Sequence, residues 1–239
     1  ITLVSCGDDE KQEIYSLSFE KGYYERPLLG AKNIPVRGGN RDYTVTVQNT
    51  DVLSIDIDLS SPIDMGNLVV KPKQKGETTI TVKDNVTNET VDLKIKIVDS
   101  YLNLKVAHPA QVPYTGGENL FFINNSDRDF YLFDEKMEKK ECTGNYQFLI
   151  KNSTCYMILN FDKELNDKRT YEYNISNTSE RMFTLIEILL GIDWNMKADL
   201  INRSTRSASP VTMNAVDTET NIIQYFVAGS NDIPENILD

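Results

Sequence analysis

The sequence predicts a mainly β protein, with an N-terminal β-sandwich at residues 13–99 and a second, mostly β domain at residues 100–239 with at most one or two short helices. Three observations predict this fold class. Apolar and polar residues alternate along much of the chain, which is the period of a strand with one buried face. Turn-forming residues separate the alternating runs. One stretch near the C-terminus shows the helical period instead.

Composition excludes several classes of function. The 239 residues suffice for two domains, each with its own core. The net charge of −11 repels phosphate backbones, so we expect no nucleic-acid partner. The single histidine excludes a metal centre with several His ligands, and no motif predicts a cofactor. No apolar run approaches the ~20 residues of a membrane-spanning helix.

The sequence of residues 1–12 predicts a targeting signal followed by a linker. Leu3-Val4-Ser5-Cys6 resembles the signal at which bacterial lipoproteins are cleaved and acylated, which implies lipid attachment at Cys6 and a membrane partner. The acidic run Asp8-Asp9-Glu10 is similar to the export signal of Bacteroidetes lipoproteins, which implies an outer-membrane protein exposed at the cell surface. The alternatives are a frayed chain start with an ordinary buried cysteine, and a solvated acidic linker.

The sandwich is predicted from alternation. Apolar and polar residues alternate in runs at 43–47, 53–60 and 92–97. Such strands bury one face and expose the other, as the strands of antiparallel sheets do. Turn formers lie between the runs, for example Gly38-Gly39-Asn40 and Lys75-Gly76. Several short strands at this spacing are typical of a β-sandwich.

Three segments of this domain also resemble bacterial immunoglobulin-like domains of the group 2 type. Gly66–Pro72 matches the G-x-L/V strand of that family, and Lys75–Val82 matches its K-x-G-x-(T/A)-x-I-T-V segment. Ile95–Val98 matches the closing strand. The resemblance implies a spacer or adhesive module that has no catalytic residues.

The second domain begins after Asp99-Ser100, which we interpret as a hinge. One stretch has a helical face, with Ser179 as a start signal and Gly191 as a stop signal, although its β-forming residues leave a strand as the alternative. The helical face consists of Met182, Leu185, Ile186, Leu189 and Leu190. The strand-like runs are 101–106, 119–123, 130–133, 146–150, 155–161, 170–175 and 222–227.

Cys142 and Cys155 leave two alternatives open. In an oxidising compartment the two thiols could close a disulfide, which would contribute ~3 kcal/mol. Both residues lie in or beside apolar strand-like segments, so two buried free thiols are equally consistent with the sequence.

Three polar constellations are candidates for chemistry, and each has a simpler interpretation. His108 lacks an accompanying nucleophile motif, which favours a loop residue over a general base. The oxygen-rich run Asn124–Asp129 contains a cation, Arg128, and lacks the spacing of a calcium loop, which favours a polar turn. Carboxylates such as Asp56 and Asp58 would serve a glycosidase only across a cleft, and solvated faces are the simpler interpretation.

Aromatic residues of the second domain are the stronger candidates for binding. Exposed Tyr and Trp rings are platforms on which sugar rings stack, although such rings also fill the cores of β domains. We predict that Trp194, between Asp193 and Asn195, is exposed and binds the ligand. The other candidates are Tyr114, Tyr131, Tyr146, Tyr156, Tyr171, Tyr173 and Tyr225.

Together these features predict a non-catalytic cell-surface lipoprotein that displays a binding module for a glycan or a surface protein. We expect no enzymatic activity, because no catalytic constellation stands out. The alternative is a structural or accessory subunit of a surface protein assembly. A hydrolase with carboxylates in the second domain is the third hypothesis.

Overall fold

The structure is a computed structural model that describes residues 13–194 and 211–238. The chain divides into two compact units. We call Ile1–Arg26 and Ala31–Ile97 the sandwich unit, and Pro27–Gly30 and Val98–Asp239 the barrel unit. The predicted fold class is confirmed, since both units consist mainly of strands and the described residues contain one short helix.

The sandwich unit consists of a 4-stranded and a 3-stranded sheet. Its strands are β1 (Tyr23–Pro27), β2 (Ile34–Pro35), β3 (Tyr43–Val47), β4 (Leu53–Asp58), β5 (Asn67–Pro72), β6 (Gly76–Asp84) and β7 (Thr90–Val98). The first sheet has the order β1-β7-β6-β3 and the second the order β2-β5-β4. Alternate residues are buried, as the period predicts, including Ile80 and Val82 on β6 and Leu93 and Ile95 on β7.

The strand order is that of an immunoglobulin-like sandwich with one change. With the strands lettered A to G in chain order, β7-β6-β3 is the G-F-C sheet and β2-β5-β4 is the B-E-D part of the other sheet. β1 is paired with β7 instead of β2. The sandwich therefore has one three-stranded sheet and one that β1 extends to four strands.

The barrel unit is a closed eight-stranded sheet. Each strand pairs with its neighbours in an antiparallel manner, and the last strand pairs with the first. Closure removes the free sheet edges that would otherwise pair with other chains. The strands are β8 (Tyr101–Val106), β9 (Asn119–Ile123), β10 (Asp129–Phe133), β11 (Lys140–Lys151), β12 (Thr154–Leu165), β13 (Lys168–Asn174), β14 (Thr212–Asp217) and β15 (Ile223–Ala228).

Side chains fill the interior of the barrel. Large apolar residues alternate along each strand, so one face of every strand points inward and packs. Phe122, Tyr146 and Phe148 illustrate this packing, with ring centroids 4.9 to 5.6 Å apart. The barrel is therefore a packed core and has no open lumen.

The helix α1 (Glu180–Leu190) closes one end of the barrel, and the predicted helix is confirmed. Ser179 Oγ accepts a hydrogen bond from Met182 N, and Gly191 ends the helix with a left-handed φ of 62°. Met182, Phe183 and Ile186 belong to the interior core. Arg128 Nη1 donates to the Leu190 carbonyl oxygen at 2.6 Å, which satisfies a carbonyl group at the helix C-terminus.

A C-terminal segment, residues 229–238, covers part of the outer wall of the barrel. Ile233 and Leu238 are buried against a second apolar cluster that includes Phe121, Ile123 and Phe133. Three asparagines, Asn103, Asn119 and Asn231, form a hydrogen-bonded group beside this cluster.

Cys142 and Cys155 are buried and are not joined to each other in a disulfide, which resolves the two alternatives that the sequence left open. Cys155 lies opposite Ile150 in the β11–β12 ladder, eight residues along β11 from Cys142. At ~3.3 Å per residue this separation is ~26 Å, far beyond the reach of a disulfide.

Candidate functional site

The end of the barrel opposite α1 is the candidate site, and we call it the mouth. β13 begins and β14 ends at the mouth. Three connections surround one side of it: the loop 107–118 after β8, the turn 166–167 after β12 and the turn 218–222 after β14. Barrel mouths are common ligand sites, because loops there can surround a concave surface that rigid strands position.

The loop 107–118 lies across the mouth and is held at both of its ends. Gln224 Oε1 accepts from Gln111 N at 2.7 Å, and Gln224 Nε2 donates to the Ala107 carbonyl oxygen at 3.3 Å. At the other end, both Glu118 carboxylate oxygens accept backbone N–H groups, from Thr115 and from Gly116, at 2.6 Å. These bonds fix the loop relative to the strands below it.

Tyr114, at the centre of the loop, inserts into the barrel. Its ring packs edge-on against Phe226 with the centroids 5.5 Å apart. Burial, followed by the proximity of Tyr173, raises the pKa of Tyr114 far above its usual value, so the phenol stays neutral. Tyr114 therefore forms part of the floor of the mouth.

A cleft with a volume of about 220 Å³ opens beside Tyr114. It lies between the loop 107–118 and the two turns, and its lining mixes apolar surface with hydrogen-bonding groups. The lining includes Val112, Lys168, Tyr171, Tyr173, Asp217, Glu219 and Ile222.

Tyr173 and Asp217 form the polar base of this cleft. They are paired directly across the β13–β14 ladder, so their side chains leave the sheet on the same, inward face. Tyr171, two residues earlier on β13, lies on that face as well, and its ring stacks with the Tyr173 ring at an interplanar angle of 11°. The strand register thus places two phenol rings and a carboxylate side by side.

One polar atom at this base, on Asp217, has capacity for a further hydrogen bond. Tyr173 Oη and Tyr114 Oη are buried and lie within reach of a hydrogen bond to each other, and each pKa reflects that contact. Asp217 Oδ1 accepts from Glu219 N, Thr220 N and Thr220 Oγ1, whereas Oδ2 accepts no hydrogen bond from a described residue. The cleft therefore offers an unpaired carboxylate oxygen.

The charge of the cleft is set by Asp217. Burial alone would raise the pKa of Asp217, but the hydrogen bonds from Thr220 and Glu219 and the nearby Lys168 together lower it. Asp217 is therefore ionised at neutral pH. Burial raises the pKa of Tyr173, the hydrogen bond with Tyr114 offsets part of that rise, and the Asp217 carboxylate adds to it, so Tyr173 keeps its proton.

Two other cavities adjoin the described part of the barrel. One of about 420 Å³ is lined by Glu118, which holds the loop, and by Cys142, whose pKa burial raises to about 11. That thiol is not a nucleophile at neutral pH. The other, of about 450 Å³, lies beside His108 and the asparagine group. Within residues 13–194 and 211–238, no three His, Cys, Asp or Glu side chains lie together as metal ligands.

The structure overturns the predicted exposure of Trp194. Its side chain is only 5% exposed, and its ring packs edge-on against Phe183 and Phe148 with centroids 5.0 and 5.7 Å away. The indole N–H donates to the Phe183 carbonyl oxygen at 3.3 Å. The polar neighbours in sequence suggested a surface position, but the apolar end of the barrel takes up the ring and leaves no face for a sugar.

The other predicted residues are distributed as follows. Cys6 lies outside the described residues. His108 is in the loop 107–118, and Asn124–Asp129 forms the turn between β9 and β10, in which Arg128 binds the helix end. Among the tyrosines, Tyr171 and Tyr173 line the cleft, and Tyr114 is buried beside Tyr173. Asp217 was not predicted, because it is remote in sequence from the tyrosines that it joins.

Among the described residues, no helix is both long enough and apolar enough to cross a membrane. No protein-family model matches the chain, and no curated protein matches its sequence. Among solved structures, domains 5-6 of the S-layer protein SbsC are 13% identical, with coverage of 66% of this chain and 89% of that chain and a TM-score of 0.30. Domains 4-9 of the same protein are 11% identical, with coverage of 90% and 31% and a TM-score of 0.31. A likeness at this level implies nothing about the role of this chain.

Proposed function

We propose that this protein is a non-catalytic cell-surface lipoprotein whose barrel unit binds glycans at the mouth cleft. The observation that carries the proposal is the Asp217 carboxylate at the base of a cleft with an apolar rim, since its Oδ2 accepts no hydrogen bond from a described residue. The sandwich unit then acts as a spacer between the membrane anchor and the barrel unit.

The chemistry of the cleft fits a sugar. A sugar hydroxyl group is able to donate a hydrogen bond to Asp217 Oδ2, and a hydrogen bond to an ionised acceptor is stronger than one between neutral groups. The C–H face of a sugar ring needs apolar surface, which is available at the rim of the cleft. Val112 and Ile222 form an apolar rim around the cleft, and their side chains are 67% and 46% exposed.

The carboxylates of the cleft favour binding over hydrolysis. A glycosidase needs one carboxylic acid that stays protonated near neutral pH, beside a second that is ionised. The pKa of Asp217 is lowered, which is the opposite of what a general acid needs. Glu219, the other carboxylate in the lining, forms an ion pair with Lys168 at 2.9 Å.

The Asp217→Asn variant tests the glycan site. Asparagine keeps an Oδ1 acceptor for the 218–220 turn but replaces the unpaired oxygen with an N–H donor, so the variant should fold and bind more weakly. We expect a loss of ~10-fold or more in affinity, since a hydrogen bond to a charged group contributes ~1.5–3 kcal/mol. Affinity electrophoresis of the full chain in gels with plant and host polysaccharides measures this loss.

The matched control is Glu141→Gln, on the far side of the loop 107–118, which removes a carboxylate charge outside the cleft. This control should migrate like the wild type in every gel. Equal retardation of wild type and Asp217→Asn would exclude the mouth cleft as the glycan site. Absence of retardation of the wild type by all the glycans would favour a protein partner in a surface assembly.

The anchor is tested separately at Cys6. Its support is the sequence Leu3-Val4-Ser5-Cys6, since a thiol is the group that forms a thioether with diacylglycerol. Cell fractionation should find the wild-type protein in the membrane fraction and the Cys6→Ala variant outside it. A Cys6→Ala protein that remains in the membrane fraction would contradict lipid anchoring.

A further inference from the structure

We infer that the mouth cleft selects glycans by charge, so that it takes uncharged sugars and amino sugars and rejects sugars that carry a carboxylate or sulfate group. Asp217 is the residue that determines this selectivity. The inference rests on the proposed glycan binding and deepens it, since it names the class of sugar that the cleft accepts. It follows from the charges that line the cleft and from how each of them is paired.

The carboxylate of Asp217 is buried, and only one of its oxygens is paired. Asp217 lines the cleft and is 9% exposed. Its Oδ1 accepts hydrogen bonds from the turn 218–222, whereas its Oδ2 accepts none from a described residue. Burial opposes ionisation, but these hydrogen bonds lower the pKa of Asp217 overall, so the group is ionised at neutral pH. A ligand in the cleft therefore meets a negative charge with an open acceptor.

The positive charge in the cleft is already paired. Lys168 is the only cationic side chain among the described residues that line the cleft. Its ammonium group forms an ion pair with Glu219 at 2.9 Å and lies over the Tyr171 ring, 4.9 Å from the centroid. Two carboxylates and one ammonium group leave the lining with a net charge of −1. An anionic ligand would therefore have to compete with Glu219 for Lys168.

The size of the cleft brings the charge of a ligand close to Asp217. Its volume of about 220 Å³ is below the roughly 300–1,000 Å³ of sites that hold drug-sized ligands, so a sugar unit inside it has little room to hold a carboxylate away from Asp217. Like charges brought together at a binding surface repel strongly and exclude the wrong partners. A hydroxyl or ammonium group instead donates a hydrogen bond to Asp217 Oδ2.

The test compares sugars that differ in charge and scarcely in size. The full chain is titrated by calorimetry with amylose, mannan and galactan, with the same polymers oxidised at C6 to the carboxylate, and with forms aminated at C6. For the polysaccharide that binds, the oxidised form should bind at least ~10-fold more weakly than the parent, and the aminated form at least as tightly. Equal affinity for parent and oxidised forms, or equal weakening by both changes, would overturn the inference and leave glycan binding intact.

Salt separates the effect of the cleft from that of the whole chain, which carries a net charge of −11. At about 0.5 M salt the Debye length is ~4 Å, which screens repulsion across the acidic surface much more than a contact inside the cleft. The preference for the parent over the oxidised form should therefore persist at this salt concentration. Its disappearance would show that the net charge of the chain is the cause, and not Asp217.

Two variants locate the selectivity. Asp217→Asn removes the negative charge at the base of the cleft, and Glu219→Gln releases Lys168 from its ion pair. Each should reduce the ratio of the affinities for the parent and oxidised forms by ~3-fold or more. The ratio is the readout because Asp217→Asn should weaken the binding of every glycan.

Glu141→Gln is the matched control. Glu141 is also ion-paired, with Lys139 at 3.3 Å, and it lies outside the cleft, so its replacement should leave the ratio at the wild-type value. A wild-type ratio in Asp217→Asn would overturn the inference. A wild-type chain that binds none of the parent polysaccharides would instead contradict the proposed glycan binding.

Discussion

Replacement of Gly144 with alanine should lower the free energy of unfolding of the barrel unit by ~3 kcal/mol or more. Gly144 lies in β11, opposite Phe130 on one side and Phe161 on the other. The rings of these two residues meet over the glycine with centroids 5.0 Å apart. A Cβ atom here would lie 2.7 Å from Phe130 Cε1 and would overlap the Asn160 carbonyl oxygen.

Neither neighbour is able to move cheaply. The Asn160 carbonyl group belongs to the β11–β12 ladder, and both rings are buried in the core of the barrel. Overpacking of this kind typically costs 1–3 kcal/mol and costs more where backbone must shift. Urea unfolding followed by far-UV circular dichroism measures the change. Gly22→Ala is the control, because its Cβ would meet no atom within 4 Å. Equal stability of the two variants would contradict the packing described for the barrel.

The second large effect is expected at Asp84 of the sandwich unit, where Asp84→Ala should lower the free energy of unfolding by ~3 kcal/mol. The side chain is buried, and its Oδ2 accepts from Asn40 N and Asn40 Nδ2, both at 2.8 Å. Its Oδ1 accepts from Val86 N at 2.9 Å and from Thr87 N at 3.3 Å. Alanine would leave these donors without their charged acceptor, and hydrogen bonds to charged groups are the costly ones to lose.

The loss of stability caused by Asp84→Ala should also depend on pH. Burial alone would raise the pKa of Asp84, but the hydrogen bonds from Asn40, Val86 and Thr87 together lower it. A carboxyl group with a lowered pKa in the folded state contributes its full stabilisation above its unfolded pKa of ~3.9, and loses it as the pH falls through the folded value. The difference between wild type and Asp84→Ala should therefore be larger at pH 7 than at pH 3.

Urea unfolding at both pH values measures this difference. Asp51→Ala is the control, since Asp51 is an exposed turn residue and its replacement should change stability by less than ~0.5 kcal/mol at either pH. A cost of Asp84→Ala that is the same at pH 3 and pH 7 would show that the carboxylate is not the source of the stabilisation.

Features with a local cause could be predicted from the sequence. The helix α1 has its cap, its apolar face and its terminating glycine within 13 residues, so the predicted limits agree with the structure. β8 and β9 begin and end where their apolar runs do, at Tyr101–Val106 and Asn119–Ile123. In each case the residues that decide the structure are neighbours in the chain.

Features that depend on distant pairing could not be predicted. Alternation shows that a strand has one buried face, but it is the same in an open sheet and in a closed barrel. Trp194 has polar neighbours, and its burial depends on Phe148 in β11 and Phe183 in α1. Tyr173 and Asp217 are separated by the whole of α1, and only the register of β13 with β14 brings them to one cleft.

The central claim is that a glycan binds at the mouth of the barrel, and hydrogen–deuterium exchange of the full chain tests it most directly. Exchange is compared with and without a saturating concentration of a polysaccharide that retards the protein in affinity electrophoresis. If the glycan binds at the mouth, exchange becomes slower in the loop 107–118 and in the turns 166–167 and 218–222, and exchange in the sandwich unit stays the same. Slower exchange confined to any other surface would contradict binding at the mouth.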